Sequence, residues 1–133
     1  MRKEGWESRL FDEIEKHADT PFEYGKSDCI IFAIDCVRAI TGKDLMEGKR
    51  NYSTLEEAKK VLVKTGHKDL GDVLAEHFEE IPPAYAHRGD VGVIKGDGFS
   101  VAVVFVGPTA FGKDQPKGLM QVSRMIVERA FRV

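Results

Sequence analysis

The sequence predicts an α+β domain, helical in its N-terminal half and built around an antiparallel sheet in its C-terminal half. Three observations carry this. Apolar residues recur at helical spacing from Trp6 to about Glu80. From Gly89 onward, short β-branched runs separated by turn residues replace that pattern, as expected of strands. Between the two regimes stands Pro82-Pro83, which no helix can run through. Helices first and strands afterwards favour a sheet packed against a helical layer over alternating βαβ units. At 133 residues the chain is long enough for one core. No repeat, low-complexity tract or linker divides it, so residues 1–133 read as a single domain.

The elements follow in order. Trp6, Leu10, Phe11 and Ile14 alternate with Glu7, Arg9, Asp12, Glu13 and Glu15, giving an amphipathic helix that ends near Ala18-Asp19 before Pro21. Ser27 or Asp28 caps a second helix that stops at Thr41-Gly42. Only Asp35 and Arg38 interrupt its apolar residues from Ile30 to Ile40, so it belongs at the centre of the fold. Ser53 or Thr54 caps a third helix, with Leu55, Ala58, Val61 and Leu62 on one face, closing at Gly66. A shorter helix covers about Asp69 to Glu79. Val91 to Ile94 leads into the turn Lys95-Gly96-Asp97-Gly98. Val101 to Val106 is the strongest strand, and Leu119–Val122 and Val127–Val133 are two more. Ile31, Phe32, Val37, Ile40, Val101, Val103 and Phe105 are expected to share one cluster.

Charge and cysteine usage narrow the function. Twenty Lys and Arg face 22 Asp and Glu, for a net charge of -2, which supplies no basic face for nucleic acid. No apolar run approaches the roughly 20 residues of a membrane span. The first residues lack the apolar stretch of a signal peptide, so the chain is expected to be made and folded in the cytoplasm. Cys29 and Cys36 lie seven residues apart, about 10.5 Å along a helix. A disulfide needs Cα atoms within about 7 Å, so both thiols are expected to be free. No His/Cys pair has zinc spacing and no glycine-rich loop fits a phosphate. No metal or cofactor is therefore expected. Arg88-Gly89-Asp90 reads as a strand entry and Asp97 as a turn residue.

Cys29 is the residue with potential chemistry. It opens the central helix, where unbonded N–H groups and the helix dipole favour a thiolate and can hold an oxyanion. A nucleophilic cysteine also needs a base, usually histidine. Without one, Cys29 is a small hydrophobe at a helix–sheet contact. Cys36, two turns deeper, reads as core. Of the four histidines, His17 ends the first helix and reads as a cap, His67 lies in a loop, and His77 sits on the fourth helix. His87, two residues ahead of Gly89-Asp90, is the candidate base.

Three stretches together resemble the NlpC-like family of papain-related cysteine peptidases, in particular its short phage and prophage tail-associated members. They are the turn Phe22-Glu23-Tyr24-Gly25 leading to Asp28-Cys29, the run Arg88-Gly89-Asp90-Val91-Gly92-Val93-Ile94, and the strand Ser100-Val101-Ala102-Val103-Val104-Phe105-Val106-Gly107. The Trp6 helix, Asn51-Tyr52-Ser53 and the C-terminal Ala130-Phe131-Arg132-Val133 also look like the phage subgroup. The resemblance implies a papain-like fold with Cys29, next to Asp28, as nucleophile. It also implies phage tail proteins or peptidoglycan peptides as partners, and possible incorporation into a tail. Two departures stand against activity. Ser100 occupies the place of the family's catalytic histidine, and Phe22 that of a tyrosine whose hydroxyl lies near the nucleophile. A degenerate domain with an assembly or wall-binding role is therefore expected. The alternative is an active amidase or endopeptidase on peptidoglycan stems, with His87 as base.

Overall fold

Asp28 starts the central helix. Its backbone is extended and its Oδ1 accepts the Ile31 N–H at 2.8 Å, the N-cap arrangement that only short polar side chains provide. The computed structural model describes residues 2–67, 69–96, 98–115 and 118–133. In it the central helix α2 spans Cys29–Thr41 and ends at Gly42, which is in the left-handed region at φ 81°. Such a terminus is natural for glycine. α1 (Trp6–Ala18) packs along α2. α3 (Leu55–Lys64) is capped by Thr54, while Glu57 reaches back to the Ser53 N–H at 2.8 Å. α4 (Leu70–His77) is capped by Asp69 and stops before Glu79.

Six strands follow: β1 (Glu79–Ile81), β2 (Val91–Lys95), β3 (Ser100–Phe105), β4 (Thr109–Asp114), β5 (Gly118–Ser123) and β6 (Arg129–Arg132). They form one antiparallel sheet in the order β1-β6-β2-β3-β4-β5. This is the α+β architecture that the sequence predicts. Two strands were not expected. β4 reads Thr-Ala-Phe-Gly-Lys-Asp, a polar, glycine-interrupted stretch that becomes a strand through pairing with β3 and β5 rather than through its own propensity. β1 is three residues on the sheet edge, two of them exposed glutamates. The last strand begins at Arg129, because Arg124–Ile126 forms a 3-10 turn ahead of it. In the turn between β2 and β3, Asp97 lies outside the described residues.

The core divides where one cluster was expected. Phe32, Val37 and Ile40 of α2 meet Val91, Val93, Ala102, Val104 and Phe131 on one face of the sheet. Val103 and Phe105 point to the other face, against Ile81, Ala86, Ala110, Val127 and Ala130. The pleat sends alternate residues to opposite faces, so no helix can collect both sets. Ile31 belongs to a third cluster with Tyr52 and Ala58. At the far end of the sheet, buried Asp90 accepts hydrogen bonds from Arg2 Nη2 at 2.8 Å, the His87 N–H at 2.8 Å and the Val133 N–H at 3.0 Å. The Asp of the Arg88-Gly89-Asp90 tripeptide thus ties the two ends of the chain together.

Candidate active site

Cys29 sits at the first turn of α2, against the backbone of Ala102 on β3. It is 7% exposed. The position is the one expected, but its electrostatics differ from the sequence expectation. Burial, and then the negative charges of Asp28 and Asp114, push the thiol up to about 12, outweighing the N–H contacts of Ala102 and Ile30 that pull it down. Desolvation of a thiolate costs more than one helix end returns. Cys29 is a neutral thiol at physiological pH. Cys36 is also free and buried, and its thiol is pushed up by burial and by Glu13 and Asp35.

The space beside Cys29 is small, about 30 Å³, and is lined by residues that include Phe22, Tyr24, Leu55, Phe99, Lys113 and Asp114. None of the four histidines is among its lining. His87 lies at the other end of α2. Its N–H is held by Asp90, and a methyl group on neighbouring Gly89 would stand 3.2 Å from Ile40 Cδ1. Cys29 and Ile40 are separated by eleven residues of one helix, about 16 Å of rise. The structure therefore does not bring His87 to the thiol. Ser100 begins β3, where its Oγ donates to Asp69 Oδ1 at 3.1 Å. Asp28 is spent on capping: besides the Ile31 bond, its Oδ2 accepts the Gly25 N–H at 2.9 Å and the Tyr52 hydroxyl at 2.7 Å. Phe22 packs edge-on against Tyr24, with ring centroids 5.0 Å apart.

Sequence reasoning passed over three residues here. Tyr52 is buried, 5% exposed, and joins the loop before α3 to the cap of α2. Lys113 is buried in β4 and its ammonium donates to the carbonyls of His17 and Thr20. Nothing in a strand reading of β4 signals either bond, because both partners come from the distant α1 end. The third is His17. Read as a helix-end cap, its side chain is instead 3% exposed, with Nδ1 2.8 Å from Ser27 Oγ and Nε2 2.9 Å from Asp35 Oδ2. The serine–histidine–aspartate order imitates a hydrolase triad, yet Ser27 is 0% exposed and no substrate can reach it. Of the others, His67 pairs with Glu76 at 2.5 Å and His77 lies beside Phe78.

Next to the thiol space, sharing Ile30, Leu55, Ala58 and Phe99 with it, runs an open groove of about 430 Å³. Leu62 and Leu70 extend its apolar floor, and Lys59, Lys95, Asp69 and Ser100 supply polar groups. The wall shared with Cys29 makes this the place where an extended ligand can approach the start of α2.

The fold has a solved counterpart. A structure described as the NlpC/p60 domain of peptidoglycan hydrolase SagA is similar over 95% of this chain and 97% of that one, with a TM-score of 0.62 and 16% identity. At that identity the likeness bears on the fold, which is NlpC-like and papain-related as the motifs implied. No curated protein matches the chain. A family model described as a domain of unknown function (DUF6950) matches residues 1–133, and the chain belongs to that family.

Proposed function

We propose that this chain is a catalytically degenerate NlpC-like domain, associated with a phage tail, that binds a cell-wall peptide in its groove rather than cleaving it. The observation that carries the reading is the state of Cys29: a buried, neutral thiol with carboxylates and no imidazole around it, beside a groove that remains open. A papain-like nucleophile requires the reverse, a thiolate held by an imidazolium. The groove suits a peptide with apolar side chains and a free carboxylate, which Lys59 and Lys95 would meet at its rim. The tail association rests on the sequence resemblance alone. No helix among the described residues is long and apolar enough to cross a membrane.

The test is co-sedimentation with purified peptidoglycan, run alongside analysis of the released products. The expected result is retention of the intact wall with the protein, weakened by Lys59→Glu with Lys95→Glu, and no product above background. Release of stem fragments that stops in Cys29→Ala would establish the amidase reading instead. Absence of retention would remove the wall as the ligand.

A further inference from the structure

We propose that Glu13 and His17 of α1, with Asp35 of α2, form a binding site for a divalent transition-metal ion of the zinc class. The site is separate from the Cys29 groove. One ligand atom from each of the three residues can be chosen so that all lie within 4.8 Å of one another. His17 Nε2 is 2.9 Å from Asp35 Oδ2 and 3.9 Å from Glu13 Oε2. Ligand bonds of about 2.1 Å place tetrahedral donors about 3.4 Å apart, so a small opening of the Asp35–His17 contact admits an ion.

One oxygen of the cluster is left without a partner. Glu13 Oε2 is a buried oxygen without a hydrogen-bond partner. Asp35 is 5% exposed. Its Oδ1 is met by Arg50 Nη2 at 2.9 Å. Arg50 is shared, since the same Nη2 bonds Asp44 Oδ1 at 3.0 Å. Arg38 is more distant, 3.9 Å from Asp35 and 3.8 Å from Asp44. Arg50 with Asp44 is neutral, and a dication with Glu13 and Asp35 is neutral too. Glu13 Oε2 has only the distant His17 Nε2 contact to offset its burial.

The outer contacts orient the histidine for metal. In the ion-free ring Nε2–H donates to Asp35 Oδ2; an ion displaces that hydrogen, and with the remaining hydrogen on Nδ1, where Ser27 Oγ accepts it, the Nε2 lone pair is available to the metal. Such a second contact sets the tautomer of metal-bound imidazoles. Ser27 is fully buried and is itself placed by the turn in which its N–H bonds the Glu23 carbonyl at 2.8 Å. One nitrogen and two carboxylate oxygens favour zinc, cobalt or manganese over magnesium or calcium, which prefer all-oxygen sets. Glu13 is the most exposed of the three and gives the ion its way in. An ion here would bind α1 to α2 beneath the turn that leads to Cys29.

The experiment uses the full chain, stripped with chelator and titrated with zinc chloride against a chromophoric competitor, with melting temperature read in parallel. One equivalent should bind, and saturating zinc should raise the melting temperature by about 4 °C or more. Glu13→Gln, which breaks no hydrogen bond of Oε2, should keep its fold and lose affinity by more than about tenfold. Ser27→Ala should weaken binding by about tenfold through the ring orientation. A triple change of His67, His77 and His87 to Ala should leave the high-affinity equivalent in place. Absence of that equivalent in the native chain would overturn the proposal. So would its full retention in Glu13→Gln.

Discussion

Tyr52 donates its phenolic hydrogen to Asp28 Oδ2 at 2.7 Å, joining the loop ahead of α3 to the cap of α2. Both groups are buried, at 5% and 2% exposure. The Asp28 carboxylate also serves Gly25 and Ile31, so one side chain fixes the turn, the helix start and the distant loop. Tyr52→Phe keeps the ring and deletes one bond to a charged group. It should lower stability by about 1.5–3 kcal/mol, read as a shifted urea midpoint. A change within about 0.5 kcal/mol, the level of a surface substitution, would show that the Tyr52 bond does not hold the cap.

Burial should make Cys29 slow. With the thiol pushed from 9.0 up to about 12, its thiolate fraction at neutral pH falls about a thousandfold below that of an unfolded thiol. Alkylation by a small reagent at pH 7 should therefore proceed only through opening of the fold, at a rate that rises with added denaturant. Fast alkylation that disappears in Cys29→Ser would contradict the buried, neutral thiol.

The same shift links stability to pH. The folded pKa lies above the unfolded one, so the contribution of Cys29 is present in full below pH 9 and is lost as pH rises toward about 12. In that window the native chain should lose up to about 1.4 kcal/mol per pH unit from this thiol. Cys29→Ala should follow a shallower alkaline decline, measured by denaturant melts at successive pH values. Parallel curves would remove Cys29 from the linkage.

Restoring the family pattern should not restore chemistry. In Ser100→His with Phe22→Tyr, the new imidazole replaces a serine that bonds Asp69, while Cys29 stays beneath Tyr24, Phe99 and Asp114. Alkylation at pH 7 should remain within about threefold of the native rate, since exposure of the thiol limits it. A rise of tenfold or more would show that only the imidazole was wanting and that the cleft is still in working order.

Phe32 is the packing test. It is 0% exposed, lies in the α2 cluster and meets the His17 ring edge-on at 5.2 Å. Phe32→Ala should cost about 3–5 kcal/mol. A loss below about 1 kcal/mol would mean that the cluster closes around the gap.

By itself, the sequence determined that helices precede strands, where α2 and α3 begin to within a residue, and the central place of the Cys29 helix. These follow from local rules: apolar periodicity, a short polar residue before a helix, a glycine after it. It also pointed to Cys29 at a helix start. What only the tertiary structure decided is what surrounds that thiol. β4 becomes a strand because β3 and β5 pair with it, and it then delivers Lys113 and Asp114 to the α2 end of the sheet. Val103 and Phe105 part from the helix because a pleat alternates its faces. His17, an ordinary helix-end residue in the sequence, becomes buried through Ser27 and Asp35, ten and 18 residues away. His87, the candidate base by its place ahead of Gly89-Asp90, lies by the Ile40 end of α2, about a helix length from Cys29. Spacing along a chain sets which residues share an element, whereas burial, charge and reach are set by which elements meet, and those quantities decide whether a cysteine reacts.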